Sequence, residues 1–218
     1  MLMLLVQKCT LICGDPHPLL FLEGADTMSP SLMITCITDH MHYTSAKILH
    51  SKDQTLSMYK AYAAWVHTQH RVWIKQLCSD RDGEYTVTDF MVFLQGRGAK
   101  CWLTMHDTPQ HNGVAKALNH QLVEHMHALL HQSGLPKTLW AKALLYTVWQ
   151  KNHTSTCALG TVMPYECLHK SKPNLAGVLE WGQHMWVHND SGSKLDAQAT
   201  VAHWVGYDAD STHVHRFY

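Results

Sequence analysis

The feature that most restricts the fold of this chain is a change of hydrophobic period near residue 53. Residues 32–39 (LMITCITD) and 43–50 (YTSAKILH) are β-branched, apolar runs divided by a polar turn. Such runs suit two neighbouring antiparallel strands, because successive side chains fall on opposite faces. From Asp53 to about Gln69 the apolar residues Leu56, Tyr59, Ala63 and Val66 recur at three- and four-residue intervals. One helical face can therefore lie back across the strands, with Ser51 or Asp53 as N-cap.

The alternation continues down the chain. Residues 72–78 (VWIKQLC) predict a third strand that stops at Ser79-Asp80, before an Arg-Asp-Gly turn. Thr86 to Leu94 predicts a short helix and residues 99–105 another strand. Two longer helices follow, His111 to Gln132 stopped by Gly134, and Pro136 to about Asn152 with proline at the first helical position. Beyond the polar linker 170–174 the runs are short and β-like, at 185–188 and 202–207, with a Gly/Ser turn at 191–193. The fold class is α/β, a core with trailing helices and then a small β module.

Composition bounds the function. At 218 residues and 46% hydrophobic content the chain can bury a full core plus a small second one. Lys plus Arg and Asp plus Glu are both 17, so net charge supplies none of the electrostatic footprint of a dedicated nucleic-acid binder. Seven cysteines without a CxxC pair read as thiols in a reducing compartment and not as a disulfide framework. The apolar start at Met1 to Val6 meets Lys8 and Asp15 too soon for a signal peptide, and no stretch approaches the ~20 apolar residues of a membrane span. The expectation is nucleus or cytoplasm, neither secreted nor membrane-bound.

Two segments carry chemistry. Ser79-Asp80-Arg81-Asp82-Gly83-Glu84-Tyr85 puts a carboxylate at the end of a predicted strand, where α/β folds place metal-binding acids; alone, the string reads equally as a turn capped by Asp80. Thr108-Pro109-Gln110-His111-Asn112-Gly113-Val114-Ala115 is a polar loop feeding a helix, with Lys116 one turn in and Asn119 on the same face.

Together with Leu135-Pro136, Trp140-Ala141 and Met163-Pro164-Tyr165-Glu166, these strings resemble the integrase core of Copia-type retrotransposon Gag-Pol polyproteins, which runs SDNGGEY, TPQQNGVAER, AGLPxxxWAEA and TPYE. Trp181-Gly182, Trp186-Val187-His188, Ser193-Lys194-Leu195-Asp196 and Trp204-Val205-Gly206-Tyr207 are similar to the SH3-like module that follows it. The resemblance covers roughly residues 19–218 in consistent order. It implies an N-terminal remnant without a clear domain at 1–18, an RNase H-like mixed sheet flanked by helices at 19–172, and an SH3-like β module at 173–218.

The resemblance further implies DNA integration by strand transfer, with three carboxylates holding two Mg²⁺ or Mn²⁺ ions. It implies DNA as partner, a homo-oligomer, and no small-molecule substrate. Carried over residue by residue, the second acid falls on Asp80. The first falls on Glu23, within Leu20-Phe21-Leu22-Glu23-Gly24-Ala25-Asp26-Thr27-Met28, with Asp26 as runner-up. The third falls on Lys116, because Asn112-Gly113-Val114-Ala115 hold the register without a gap. An ammonium cannot ligate Mg²⁺ and repels it at short range, so the expected site is degenerate. Gln110, Asn112, Gly113, Asn119 and His120 are the implied nucleic-acid contacts. A domesticated, non-catalytic nucleic-acid or protein binding module is the alternative.

The 19 histidines invite a zinc reading, since His120, His127 and His131 share a helix face, but they lack i, i+4 pairing with a CxxC. A histidine-rich metal binder would also leave the SDRDGEY and TPQHNGVA strings unexplained. Mutational decay accounts for more. Where related integrases carry arginine this chain has His120, His127, His153, His203, Cys78, Trp149 and Gln198, and only four arginines remain. Those residue types, and Glu to Lys, are one cytosine-deamination step from the ancestral codons. Each lost guanidinium removes a phosphate fork, so DNA affinity is expected to be weak and to rise as histidines protonate at acid pH.

Overall fold

The computed structural model describes residues 5–10, 18–23, 31–37, 41–49, 51, 54–71, 73–79, 88–103, 113–188, 198–208 and 214–218. Two compact units are distinguished: residues 1–121 with 151–172, and residues 122–150 with 173–218.

In the first unit, strands β1 (Leu5–Thr10), β2 (Pro18–Glu23), β3 (Ser31–Ile37) and β4 (Tyr43–Leu49) form an antiparallel sheet in sequence order. The expected hairpin is its second half, with Ser31 opposite Leu49 and Ile37 opposite Tyr43. Strands β1 and β2 lie in a stretch where the periodicity predicted no element. Helix α1 (Thr55–His70) follows. It presents Tyr59, Tyr62, Ala63 and Val66 to the interior, matching the predicted apolar face, with Leu56 packed at its margin. Its N-cap is Gln54, without a side-chain cap; this corrects the expectation of Ser51 or Asp53. The Gln54 N–H instead donates to the Ser51 carbonyl.

Strand β5 (Gln76–Ser79) begins later than the run from residue 72 suggested. Helix α2 (Thr88–Gly96) leads to β6 (Lys100–Leu103), and β5 and β6 pair in parallel, Gln76 opposite Lys100 and Ser79 opposite Leu103. Strand β5 also lies beside β1 and β2. The core under α1 and α2 joins Leu49, Tyr59, Tyr62, Val66, Phe90 and Leu94, with Tyr59 and Phe90 ring centres 5.1 Å apart.

Helix α3 (Gly113–Ser133) ends before Gly134, whose φ of +65° suits a residue without Cβ. Pro136 is not the first residue of the next helix, a second correction. It is extended (φ −56°, ψ 140°) ahead of a 3₁₀ turn at Lys137–Leu139, and α4 (Trp140–Asn152) starts only then. Helix α5 (Pro164–His169) does open on its proline.

In the second unit, β7 (His184–His188), β8 (Ala199–Tyr207) and β9 (His215–Phe217) form an antiparallel sheet. Trp204 is completely buried and its indole N–H donates to His215 Nδ1 at 2.9 Å. The Tyr146 ring meets that of Trp204 edge to face at 5.1 Å, and its hydroxyl donates to the Leu179 carbonyl at 3.1 Å. Burial, followed by the neighbouring Tyr207, pushes the Tyr146 hydroxyl up to about 12. Gly182, at φ +83°, sits so close to α3 that an added Cβ would lie 2.5 Å from the Ser133 Cβ.

Candidate functional site

The resemblance assigns the three acid positions to Glu23, Asp80 and Lys116. Glu23 is the last residue of β2, opposite Leu5 of β1. Ser79 is the last residue of β5. Asp80 itself lies outside the described residues, as do Asp26, Gln110 and Asn112. Gly113 is the first and Lys116 the fourth residue of α3.

The first turn of α3 holds no acidic residue. A helix N-terminus concentrates positive potential from its unpaired N–H groups, which favours a carboxylate and opposes a cation. Lysine at the fourth position is therefore locally unfavourable as well as unable to ligate a metal. Among the described residues no group of three or more His, Cys, Asp or Glu side chains is placed to hold a metal ion.

One turn on, Asn119 is 3% exposed, and its Oδ1 has no hydrogen-bond partner among the described residues. His120 is exposed. Of the implied nucleic-acid contacts, then, the described pair diverges: one amide faces the interior and one imidazole faces solvent.

Two constellations escaped sequence reasoning. The first is at the end of α4, where Asn152 pairs with the backbone of Thr44 and Lys151 Nζ donates to the His42 carbonyl at 2.8 Å. The second is a ring cluster between α1, β4 and α5. His169 stacks on Tyr165 at 4.2 Å, Tyr165 faces His153 at 4.6 Å, and His169 meets His70 at 5.7 Å and Tyr43 at 6.1 Å. Burial, then His70 and His153, hold the His169 pKa below its usual value; burial alone lowers that of His70. Burial, then Tyr165, pushes the Tyr43 hydroxyl up to about 12. The sequence marks His153 only as a replaced arginine; its ring partner Tyr165 lies beyond a turn, on α5, outside any helical or strand period that includes His153.

The thiols of Cys157 and Cys167 are free. No helix among the described residues is long and apolar enough to cross a membrane.

No family model matches the chain. Curated relatives do. The chain is 27% identical over 176 residues to a retrovirus-related Pol polyprotein from transposon TNT 1-94 of Nicotiana tabacum, covering 80% of this chain and 13% of that polyprotein. It is 26% identical over 172 residues to a Pol polyprotein from transposon RE2 of Arabidopsis thaliana, covering 78% of this chain and 12% of that one. The chain thus spans about an eighth of the length of these relatives. Among solved structures, a chain from the simian T-cell lymphotropic virus intasome in complex with the PP2A regulatory subunit B56 gamma covers 86% of this chain and 69% of its own length. It has a TM-score of 0.53 and 15% identity, which is a likeness of fold. By sequence this chain is similar to retrotransposon Pol polyproteins, and its α/β fold is like that of a chain in a retroviral intasome.

Proposed function

We propose that this chain is a retrotransposon integrase-derived domain that has lost strand transfer and retains weakened nucleic-acid binding. The observation that carries the reading is Lys116 in the first turn of α3, in register with the third acid of the resembling integrases. Phosphoryl transfer of that kind depends on carboxylates that neutralise two divalent ions and align the attacking and leaving oxygens. A lysine at one of the three positions subtracts a ligand and adds a like charge, while Asp80 and Glu23 supply only two acids. Residues 19–172 would form the core and residues 173–218 the SH3-like module; Gln110, Asn112, Gly113 and His120 would face DNA, while Asn119, buried in α3, would not.

The test is a strand-transfer assay with Mg²⁺ or Mn²⁺ comparing the native chain with Lys116→Glu. No product from the native chain and measurable product from the variant is the expected result. Product from the native chain would overturn the dead-site reading.

A further inference from the structure

A patch on α1, residues 73–75, α2 and the start of β6 combines cations with aromatic rings. Trp73, just beyond α1, is 52% exposed. The His67 ring stacks on it at 3.7 Å. The Arg97 guanidinium lies over both Trp73, at 5.2 Å, and Phe93, at 5.0 Å, and Lys60 Nζ is 5.1 Å from the Phe93 ring. Arg71 and Lys75 stand two residues to either side of Trp73, within roughly 7 Å along the chain. The Lys100 N–H donates to the Lys75 carbonyl at 2.9 Å, which brings those two backbones together. Lys60, Arg71, Lys75, Arg97 and Lys100 are all exposed, and none is ion-paired with a described carboxylate.

Two of the chain's four arginines are here. The described elements of this shoulder carry one acid, Asp89 in the first turn of α2; Asp80, Arg81, Asp82 and Glu84 belong to the stretch outside the described residues. A guanidinium held over ring faces is pre-ordered and still carries N–H donors that suit phosphate oxygens. Cations interleaved with rings along one surface are the pattern of a single-strand track.

We propose that this shoulder of α1, residues 71–75, α2 and the start of β6 is a contact surface for the phosphate backbone of a single-stranded nucleic acid. The inference rests on the nucleic-acid reading above and locates it on a surface that the resemblance did not indicate. Five cations facing one described acid supply the charge complementarity. The neutral overall charge then conceals a local excess.

The test uses the full chain and a labelled single-stranded oligonucleotide, with binding followed by anisotropy from about 50 to 200 mM salt. The pH is held near ~7.5, where most histidines are neutral. Each phosphate contact adds about 0.7 to the log–log salt slope for a single strand. The variant Lys60→Gln/Arg97→Gln/Lys100→Gln is expected to flatten the slope by about 2 and weaken binding at least tenfold at the lowest salt. Lys137→Gln/Lys172→Gln is expected to leave both unchanged. Because Arg97 packs on two rings, Lys60→Gln/Lys100→Gln serves as a second variant that spares it, with a slope change of about 1.4.

Native binding with an unaltered slope in both shoulder variants would overturn the surface and leave the nucleic-acid reading intact. No binding by the native chain at any salt would overturn both. Displacement by poly-glutamate as effective as by unlabelled oligonucleotide would assign the shoulder to acidic polypeptides and also overturn the proposal.

Discussion

Asn152 and Thr44, 108 residues apart, are joined by two hydrogen bonds: the Thr44 N–H donates to Asn152 Oδ1 at 2.9 Å and Asn152 Nδ2 donates to the Thr44 carbonyl at 2.7 Å. The side-chain amide thus supplies β4 with the donor and acceptor that a further strand would offer. Both residues are buried, so neither Thr44 group has water as a substitute. Asn152→Ala is expected to cost roughly 2–4 kcal/mol, from two buried groups left unpaired. Asn152→Asp should cost at least as much, because it sets a carboxylate oxygen against the Thr44 carbonyl. Urea denaturation of the two variants checks this; a loss below about 0.5 kcal/mol in both would contradict it.

Asn119 provides the contrast. It is equally buried, yet its Oδ1 has no partner among the described residues, so its amide contributes desolvation without full repayment. Asn119→Leu is therefore expected to be neutral or to stabilise by up to about 1 kcal/mol. The same denaturation series, with Asn152→Ala beside it, separates a bonded buried amide from an incompletely bonded one.

Gly182 has no room for a side chain: its φ is +83° and a Cβ would come within 2.5 Å of the Ser133 Cβ. Its N–H also donates to the Trp204 carbonyl at 2.9 Å, so the backbone is not free to retreat. Gly182→Ala is expected to destabilise by about 1–3 kcal/mol. Ser133→Gly in the same chain should recover part of that by removing the clash, but not the cost of the left-handed backbone. Thermal melts of the single and double variants give the comparison.

Among the described residues Trp204 is the largest fully buried side chain, and it donates its indole N–H to His215. Trp204→Ala is expected to cost about 3–5 kcal/mol through cavity formation. Trp204→Phe should cost less, because most of the ring packing against Tyr146 and Tyr207 survives. Equal losses in a denaturation experiment would show that the hydrogen bond, and not the packing, dominates.

The ring cluster predicts a pH dependence. His70 and His169 both have pKa values below the usual 6.5, so the unfolded chain takes up protons at a higher pH than the folded one. Their contribution to stability is complete above about 6.5 and declines as pH falls below it. Tyr43, Tyr165 and His153 are the titratable rings that face them, and His42, held below its usual value by burial and then by Lys151, acts in the same direction. His169 is exposed enough for solvent to screen much of its share. The midpoint of urea unfolding should drop between about pH 7 and pH 5, and His70→Phe/His169→Phe should flatten that drop. A midpoint independent of pH in the native chain would contradict the cluster's role.

The elements most legible in the sequence are those whose signal is local. The β3–β4 hairpin, the buried face of α1, the end of α3 at Gly134 and the strand that stops at Ser79 follow from periodicity and from glycine's conformational freedom, which neighbouring residues report. Capping and helix starts were less so: Gln54 begins α1 without a side-chain cap, and Pro136 is extended before a 3₁₀ turn.

Sequence by itself determined most of the succession of α and β elements from β3 onward and the similarity to retrotransposon Pol polyproteins. Only the tertiary structure decided which polar groups satisfy one another across long separations, Asn152 with Thr44 and Lys151 with His42, and which rings meet, His70 with His169. It likewise gathered Lys60, Trp73 and Arg97 onto one shoulder. These contacts depend on where the chain returns in space, and a hydrogen bond or a ring stack spanning 100 residues leaves no period in the sequence.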